Sequence, residues 1–358
     1  MKGKAKHRYF SAIALALLCF LLAIAIPSPP LALAIAHYPS DEIPGTQNVT
    51  FPALPNPSSA ENTQPSSPNN SNPLFGAIDF HVHSAPDIIN RSIDDFELAQ
   101  MAANAGMKAI VLKNHVTTTA DRAVLASKIV PNIEIFGGIV LNQPVGGINP
   151  DAVEAMTKLG GDRAKIVWLP TTDADYHLKV FDKPGPGIKI AENGTLSPQT
   201  EGLLKLIAEK HLILETGHIS PTEVMLVIDK ARQLGIENIV VTHAMADVPG
   251  LSLDQMRHCA EMGAILELAF VNELMGENAV AAGHDKWHRV SVAEMAQAIR
   301  AIGAQHFILS TDLGRPGDPL PAEGYKRFLE KLLAAGISPR EIQIMKRENP
   351  ARLLGIKS

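Results

Sequence analysis

Short apolar or β-branched runs alternate with amphipathic stretches from residue 75 to the end of the chain. Such runs are typical of strands buried in a sheet, because parallel strands covered on both faces need apolar side chains throughout. Eight runs of this kind occur, and we predict a strand at each: Ala77–His83, Ala109–Asn114, Ile133–Leu141, Ala164–Pro170, Leu212–Thr216, Ile239–Thr242, Ala264–Ala269 and Phe307–Ser310.

The stretches between the runs have the features of helices. One of them, "SPTEVMLVIDKARQLG", begins with a Ser-Pro-Thr-Glu capping pattern and ends at Gly235, and "SVAEMAQAIRAIG" repeats the design up to Gly303. Eight strands, most of them followed by a helix, predict an α/β protein with a (β/α)8 TIM barrel. A doubly wound open sheet is the alternative.

Two connections are longer than the rest. Residues 172–197 follow the fourth predicted strand, and residues 271–290 follow the seventh. Loops that follow strands lie on the catalytic face of a barrel. We therefore expect both insertions to form lids or substrate walls.

The N-terminal segment has the pattern of a targeting signal. A basic start is followed by an apolar run at residues 10–26, and Ala32-Leu33-Ala34 matches the small-x-small pattern of a cleavage site. Residues 1–36 are thus predicted to be a signal peptide or a membrane anchor. Residues 37–74 are rich in Pro, Ser and Asn and predict a disordered linker, which leaves 75–358 as the barrel domain.

This organisation predicts an exported protein, periplasmic or extracellular, that stays membrane-anchored through residues 10–26 only if the signal is not cleaved. The formal charge is −5, and removal of residues 1–36, which contain four basic and no acidic residues, takes it to −9. A mildly acidic body argues against a nucleic-acid partner. A small-molecule substrate is expected instead, and a homo-oligomer remains open.

Cysteine chemistry is excluded as the basis of a metal site. The chain contains two cysteines, Cys19 and Cys259, and the first lies in the apolar N-terminal run. A thiolate-ligated ion needs several cysteines. Any bound metal must therefore be held by His, Asp, Glu or a modified Lys.

Ionisable residues recur at the carboxyl ends of the predicted strands. The first strand carries "DFHVH", where strand alternation directs His81, His83 and Asp79 to one face. Buried ionisable groups cost several kcal/mol unless they are paired or metal-bound, so this recurrence indicates a functional site. The other members of the set are Lys113, His115, His218, His243, Glu267 and Asp312.

Imidazole and carboxylate together are the ligands of catalytic zinc and similar divalent ions. Such an ion lowers the pKa of a bound water toward about 7, and a neighbouring carboxylate can take the proton. The set therefore predicts a metal-dependent hydrolase.

The motifs resemble those of the metal-dependent amidohydrolase superfamily. The resemblance rests on "DFHVH", the histidines after strands five and six, the aspartate after strand eight and the ending "ENPARLLGI". It implies a TIM barrel in which a metal is bound by four ligands, with Asp312 also acting as general base. His243 would bind a second metal or polarise the substrate. The implied ligands are His81, His83, His218 and Asp312.

One departure from the superfamily pattern concerns the number of ions. Two-metal members carry a bridging carboxylated Lys or a Glu at the end of strand four. Here Lys165 stands at the start of that strand, and Trp168 and Thr171 near its end cannot bridge. We therefore expect one divalent metal, zinc, with manganese and iron as alternatives. A carboxylated Lys113 is the alternative bridge.

Four residues are predicted to contact the substrate. Lys113 and His115 end strand two, and Arg315 follows Asp312 and could bind an anionic group. Glu267 lies in the middle of a strand and needs a polar partner. Glu215 is a weaker candidate, because its parity opposes that of His218.

The predicted reaction is hydrolysis of a C–N, C–O or lactone bond. A decarboxylase or other lyase uses nearly the same metal ligands. A phosphoesterase of the polymerase-and-histidinol-phosphatase type also begins with D-x-H-x-H, but Gly314 stands where its later histidine is expected. A non-catalytic metal-binding envelope protein is the fourth reading. His284 and His288, in "HDKWH", are assigned to a lid surface.

Overall fold

The computed structural model describes residues 72–357. It contains eight parallel strands, each paired with its neighbours in chain order. The prediction of a TIM barrel is confirmed, and the open doubly wound sheet is wrong. The strands are β1 (Ile78–His83), β2 (Ala109–Lys113), β3 (Glu134–Val140), β4 (Ala164–Trp168), β5 (Ile213–Glu215), β6 (Ile239–Val241), β7 (Ile265–Ala269) and β8 (Phe307–Ser310).

The barrel is nearly closed, because the segment after β8 hydrogen-bonds to β1. The backbone N–H of Asp312 donates to the oxygen of His81 at 2.7 Å, and that of His83 donates to the oxygen of Leu313 at 2.9 Å. Lower in the barrel, the buried hydroxyl of Tyr325 lies 3.0 Å from the backbone oxygens of both Ile78 and Leu309. The first and last strands are therefore held together at both levels.

Helices cover the outside of the barrel and begin at capping residues that the sequence indicates. Ser220 and Ser291 both form capping boxes, with Glu223 and Glu294 as the reciprocal partners. The helices are α1 (Asp95–Asn104), α2 (Ala120–Ile129), α3 (Pro150–Thr157), α4 (Asp175–Val180), α5 (Pro198–Glu209), α6 (Pro221–Gln233), α7 (Leu253–Glu261), α8 (Val292–Ile302), α9 (Pro321–Ala334), α10 (Pro339–Gln343) and α11 (Asn349–Leu354).

Shorter elements lie in the connections. A two-stranded hairpin, Ala191–Glu192 with Thr195–Leu196, belongs to the insertion after β4. The insertion after β7 contains the 3-10 turns Phe270–Leu274 and His284–Lys286. Further turns are Gln143–Val145, Gly160–Asp162, Ala304–His306 and the π-helical turn Ile344–Glu348.

The apolar core has two layers. Side chains such as Phe80, Val111 and Trp168 fill the inside of the barrel, and a larger layer lies between the strands and the helices. Leu353 and Leu354 of the C-terminal motif pack on the inner layer. The "NPARLLGI" ending therefore belongs to the fold rather than to the catalytic face.

The predicted signal or anchor (residues 1–36, with the apolar run 10–26) and nearly all of the predicted linker (37–74) lie outside the described residues. Within residues 72–357, none of the helices combines the length and apolarity that a membrane crossing requires.

Candidate metal centre

Three predicted metal ligands converge at the mouth of the barrel. Asp312 Oδ1 lies 3.0 Å from His81 Nε2 and 3.0 Å from His83 Nε2, and the two nitrogens are 3.3 Å apart. Across residues 72–357, this is the one group of three His, Cys, Asp or Glu residues whose ligand atoms all lie close together. Two imidazoles and a carboxylate in this arrangement could hold a divalent ion with a position left for water.

A bulge in β1 brings both histidines to the mouth. Asp79 pairs with Ile110 and Val82 pairs with Leu112, so Phe80 and His81 together oppose the single residue Val111. The extra residue reverses the strand's parity, which is what a β-bulge does. Our expectation that Asp79 faces the same way as His81 and His83 is therefore wrong.

Asp79 instead anchors the loop that carries Asp312. Its two carboxylate oxygens accept hydrogen bonds from the backbone N–H of Thr311 at 2.9 Å and from the Thr311 hydroxyl at 2.6 Å. Burial raises the pKa of Asp79 to about 7, although these hydrogen bonds act against the shift. The first residue of "DFHVH" thus positions a ligand that follows it by more than 200 residues.

The outer nitrogen of each ligand histidine is held by a fixed partner. His81 Nδ1 lies 3.0 Å from Glu267 Oε1, and His83 Nδ1 lies 2.9 Å from the backbone oxygen of Lys113. Both oxygens accept a hydrogen bond from Nδ1–H, which leaves Nε2 as the ring nitrogen that faces an ion.

Glu267 therefore acts behind the metal ligands, not in contact with substrate. It is fully buried, and it also accepts from the hydroxyl of Ser310 at 2.6 Å and from the backbone N–H of His243 at 2.8 Å. We correct its predicted substrate-binding role accordingly. A mid-strand carboxylate can be tolerated here because all of its partners are donors.

The charges of the site favour a bound cation. Although burial would raise it, the pKa of Asp312 lies well below its usual value because of His81 and His83. Burial lowers the pKa of His81, but the charges of Asp312 and Glu267 outweigh this and raise it to about 9. The carboxylates of Asp312, at Nε2, and Glu267, at Nδ1, thus draw positive charge to the ring of His81, where an ion would supply it.

Backbone strain marks the same residues. Asp312 has φ 52° and His243 has φ 27°, a region that non-glycine residues rarely adopt and that is enriched at active sites. At Gly314, with φ +135°, a Cβ atom would lie 2.1 Å from the backbone oxygen of His83. No residue with a side chain fits at position 314.

A second histidine group lies beside the first. His218 Nε2 is 3.1 Å from His243 Nε2, and His218 Nδ1 is 2.9 Å from His177 Nδ1. Burial holds the pKa of His218 well below its usual value and lowers that of His243 to about 4 and that of His177 to about 3. These rings are therefore neutral at physiological pH and have nitrogen lone pairs available.

His218 does not join the close ligand group of His81, His83 and Asp312. Strand β5 ends at Glu215, and the following turn carries His218 to a place where His177 and His243 occupy both of its nitrogens. The expectation of one ion bound by all four ligands is not met by this arrangement.

The site opens into a cavity at the mouth of the barrel. Three of the predicted substrate-binding residues, Lys113, His115 and Arg315, line it together with His243. The ring of His115 stacks on that of His83, with centroids 5.0 Å apart, and its Nδ1 hydrogen-bonds to the Thr171 hydroxyl at 2.9 Å.

Lys113 is buried without a hydrogen-bond partner for its amine, which lies 5.4 Å from the ring centre of Trp168. Burial lowers its pKa. Lys165 pairs with Asp162 at the opposite end of β4, as expected. Among the described residues, no carboxylate extends from the end of β4 toward the ligand group.

Glu215 also faces the inside of the barrel, contrary to its low ranking from the sequence. It is fully buried, and Oε2 accepts from the Thr242 hydroxyl at 2.9 Å while Oε1 has no partner. Burial, assisted by the charge of Glu267, raises its pKa. Glu215 therefore carries a proton at neutral pH.

The two insertions meet over the second histidine group. Phe181, from the first, packs on Trp287, from the second, with ring centres 4.5 Å apart. The rings of Trp287 and His218 are nearly perpendicular, with their centres 6.0 Å apart. The insertions thus form a wall of the cavity, as predicted.

The two histidines of the second insertion, His284 and His288, differ in burial. His284 is buried and lines the cavity, whereas the side chain of His288 is 91% exposed and pairs with Asp247. The lid-surface assignment therefore fits His288 and not His284. Sequence patterns also missed Arg91 and Trp287, which lie in irregular connections, and His177, which lies in the short helix α4, since none of them carries a spacing signal.

Comparison with known proteins assigns the family. Residues 76–267 match the family model described as "Family of unknown function (DUF6282)". The chain belongs to this family. No curated protein sequence matches the chain.

Solved structures share the fold at low sequence identity. An organophosphorus hydrolase from Deinococcus radiodurans is 16% identical, with a TM-score of 0.53 over 78% of this chain and 93% of that one. An amidohydrolase from Pseudomonas aeruginosa is 12% identical, with a TM-score of 0.53 over 78% and 95%. An amidohydrolase from Burkholderia multivorans with bound zinc is 13% identical, with a TM-score of 0.51 over 78% and 99%. The resemblance to amidohydrolase-superfamily enzymes is thus confirmed at the level of the fold.

Proposed function

We propose that this protein is a metal-dependent hydrolase that uses an activated water to cleave a C–N, C–O or lactone bond of a small molecule. The observation that carries the proposal is the convergence of His81 Nε2, His83 Nε2 and Asp312 Oδ1, with both Nδ1 atoms held from behind. A histidine with a purely structural role does not need Nε2 directed at other ligand atoms while Nδ1 is held by a hydrogen-bond acceptor.

One zinc ion is the proposed cofactor, bound by His81, His83 and Asp312, with manganese or iron as substitutes. Zinc would lower the pKa of water and polarise the bond to be cleaved. Asp312 would take a proton from the attacking water and return it to the leaving group. His243, neutral and facing the cavity, would polarise the substrate.

A second ion is favoured by one specific distance. His218 Nε2 and His243 Nε2 lie 3.1 Å apart, which suits two ligands on one metal with bonds of about 2.0–2.1 Å. An alternative function is therefore a two-metal hydrolase in which these histidines hold the second ion. Metal stoichiometry separates the two forms.

The phosphoesterase reading is disfavoured by Gly314. That reading needs a histidine near this position, but a Cβ there would lie 2.1 Å from the oxygen of His83. A decarboxylase or lyase remains the runner-up, because the same ligands serve its chemistry.

The test is a substrate panel on the full-length protein loaded with zinc, manganese or iron. Lactones, amides, carboxylic esters, phosphoesters and aromatic acids are offered, and hydrolysis and CO2 release are both measured. We expect hydrolysis of a lactone, amide or ester by wild type and by His288→Ala, which alters an exposed histidine. Asp312→Asn and His83→Ala should be inactive.

Metal-dependent CO2 release without hydrolysis would replace the proposal with a decarboxylase. Bound metal with no turnover across the panel would favour a binding protein. Activity that survives in Asp312→Asn and His83→Ala would reject the site itself.

We also propose that the protein is exported, which rests on the basic and apolar pattern of residues 1–36. Sequencing the N-terminus of the protein recovered from its host would show cleavage near Ala34 or Ala36. An intact N-terminus in the soluble cytosolic fraction would contradict export.

A further inference from the structure

The cavity over the metal centre carries more positive than negative charge. Its walls contain three cationic side chains, Arg91, Lys113 and Arg315, and a single carboxylate, that of Asp312. Asp312 is already engaged by the two ligand histidines. The positive charge therefore faces the part of the cavity where a substrate would lie.

Arg91 is the most constrained of these cations. Its side chain is 2% exposed, and Nε donates to Asp87 Oδ2 at 2.8 Å. Nη2 lies 2.7 Å from the same oxygen but is buried without a well-aligned acceptor of its own. Asp87 thus compensates the charge of Arg91, but a single oxygen serves both nitrogens, so the remaining donors of the guanidinium are suited to a further, anionic ligand.

Arg315 reaches the same cavity from the loop that follows β8, which adjoins the loop of Arg91. Its Nη1 donates to the backbone oxygen of Ala282 at 3.0 Å, a neutral partner that leaves the charge of the guanidinium uncompensated. The two loops are joined by the backbone N–H of Ser92, which donates to the oxygen of Gly314 at 2.9 Å. Both guanidinium groups therefore line one cavity, and an anion held there would be attracted by both.

The charge of Arg91 also reaches the metal centre. Arg91 lines the same cavity as the predicted metal ligands His83 and Asp312. An anionic group held by Arg91 would therefore lie next to the metal ligands.

We propose that Arg91 and Arg315 bind a carboxylate of the substrate, which makes the substrate an anionic small molecule. A guanidinium matches a carboxylate with paired N–H donors, and such charge-assisted bonds are stronger than neutral ones. The inference rests on the proposed function in one respect, namely that the same cavity holds the substrate. Lys113 adds positive charge at the floor of that cavity.

Equilibrium binding tests the inference without turnover. Glutarate, its uncharged analogue glutaramide and inorganic phosphate are titrated calorimetrically into the full-length protein, in zinc-loaded and in chelator-treated form. Glutarate should bind at least about tenfold more tightly than glutaramide in both forms. Arg91→Gln and Arg315→Gln should each weaken glutarate binding by about 10–100-fold.

Two further variants complete the design. Arg315→Lys keeps the charge but loses the paired donors, so we expect an intermediate loss of affinity. Arg327→Gln removes an exposed arginine that pairs with Glu323, and it should bind glutarate like wild type. Since Arg315 lies in a partly exposed loop, its variants report on the site even if Arg91→Gln does not fold.

Glutarate affinity that is unchanged in both Arg315 variants would overturn the inference, as would equal binding of glutaramide. Arginine-dependent binding of phosphate but not of glutarate would overturn the assignment to a carboxylate. The outcome is separable from the proposed function. Arginine-dependent glutarate binding without any hydrolysis supports this inference and rejects the hydrolase, and hydrolysis with arginine-independent binding does the reverse.

Discussion

Glu267 connects the two histidine groups, and its replacement provides a quantitative test of how the site is built. The carboxylate accepts three buried hydrogen bonds, from His81 Nδ1 at 3.0 Å, Ser310 Oγ at 2.6 Å and the backbone N–H of His243 at 2.8 Å. Although burial would raise it, its pKa is lowered by the charge of His81 and the hydrogen bond from that ring. Glu267 is therefore ionised in the folded protein.

The two informative changes differ in what they leave behind. Glu267→Ala leaves three buried donors without an acceptor, which costs about 1–3 kcal/mol each, or about 3–9 kcal/mol in total. Glu267→Gln keeps one oxygen for His81 and Ser310 but turns an NH2 group toward the N–H of His243. We expect Gln to cost about 2–4 kcal/mol of unfolding free energy, from one lost hydrogen bond and the lost charge.

The same substitution should weaken metal binding. His81 loses the anionic partner that fixes its tautomer, and loss of such a partner lowers metal affinity by about 10–100-fold. The assays are denaturant unfolding of the metal-free protein and competition for zinc with a chromophoric chelator.

Glu215→Gln is the matched control at the same depth in the barrel. Glu215 accepts one hydrogen bond, from Thr242, and its raised pKa means that it already carries a proton. Its replacement by Gln should therefore cost less than about 1 kcal/mol and leave zinc affinity unchanged. Equal effects of Glu267→Gln and Glu215→Gln on zinc affinity would refute the reasoning.

Three further predictions concern other parts of the site. Zinc binding at pH 7.5 should release about one proton, because the pKa of His81 in the metal-free site is about 9. Calorimetry in buffers of different ionisation enthalpy measures this release, and a binding enthalpy that is the same in every buffer would contradict it. Gly314→Ala should lower the free energy of unfolding by at least about 2 kcal/mol, because its Cβ would meet the backbone oxygen of His83. Gly202→Ala in α5, where a Cβ has open space, should instead raise it by about 0.5–1 kcal/mol, and equal shifts in melting temperature would contradict this. His177 stays neutral in the folded state down to about pH 3 but binds a proton below about pH 6.5 when unfolded, so stability falls as pH falls. His177→Gln should therefore lose about 2.3 kcal/mol less than wild type between pH 6.5 and 4.5, and parallel pH profiles would contradict this.

Most of the fold was predictable from local patterns. Each predicted strand overlaps an observed one, because buried parallel strands have continuous apolar runs that differ clearly from amphipathic helices. The convergence of His81 and His83 with Asp312 also followed, since the carboxyl ends of barrel strands meet at one face.

The errors in the site have identifiable physical causes. Asp79 was assigned to the wrong face because a bulge, which the alternation rule does not anticipate, reverses the parity of β1. Glu267 was predicted to contact the substrate because the sequence does not show how far below the barrel mouth a strand residue lies. In the structure it lies deeper and contacts His81. His218 lies beyond the end of β5, where loop geometry rather than strand period decides its partners.

Two residues outside the barrel strands gave no signal at all. Arg91 lies in the loop that follows β1 and lines the cavity. His177 lies in the insertion after β4, and it contacts the site because that insertion packs over the barrel mouth and brings it within hydrogen-bond distance of His218. Such placements depend on tertiary packing, so spacing along the chain does not reveal them.

Zinc content is the most direct test of the proposal that His81, His83 and Asp312 hold a metal. Full-length wild type, His83→Ala, Asp312→Asn and the surface control His288→Ala are reconstituted with zinc, passed over a desalting column and analysed for bound metal. We expect wild type and His288→Ala to retain at least one equivalent, and His83→Ala and Asp312→Asn each to retain one equivalent fewer. Wild type that stays metal-free, or variants that retain as much zinc as wild type, would contradict it.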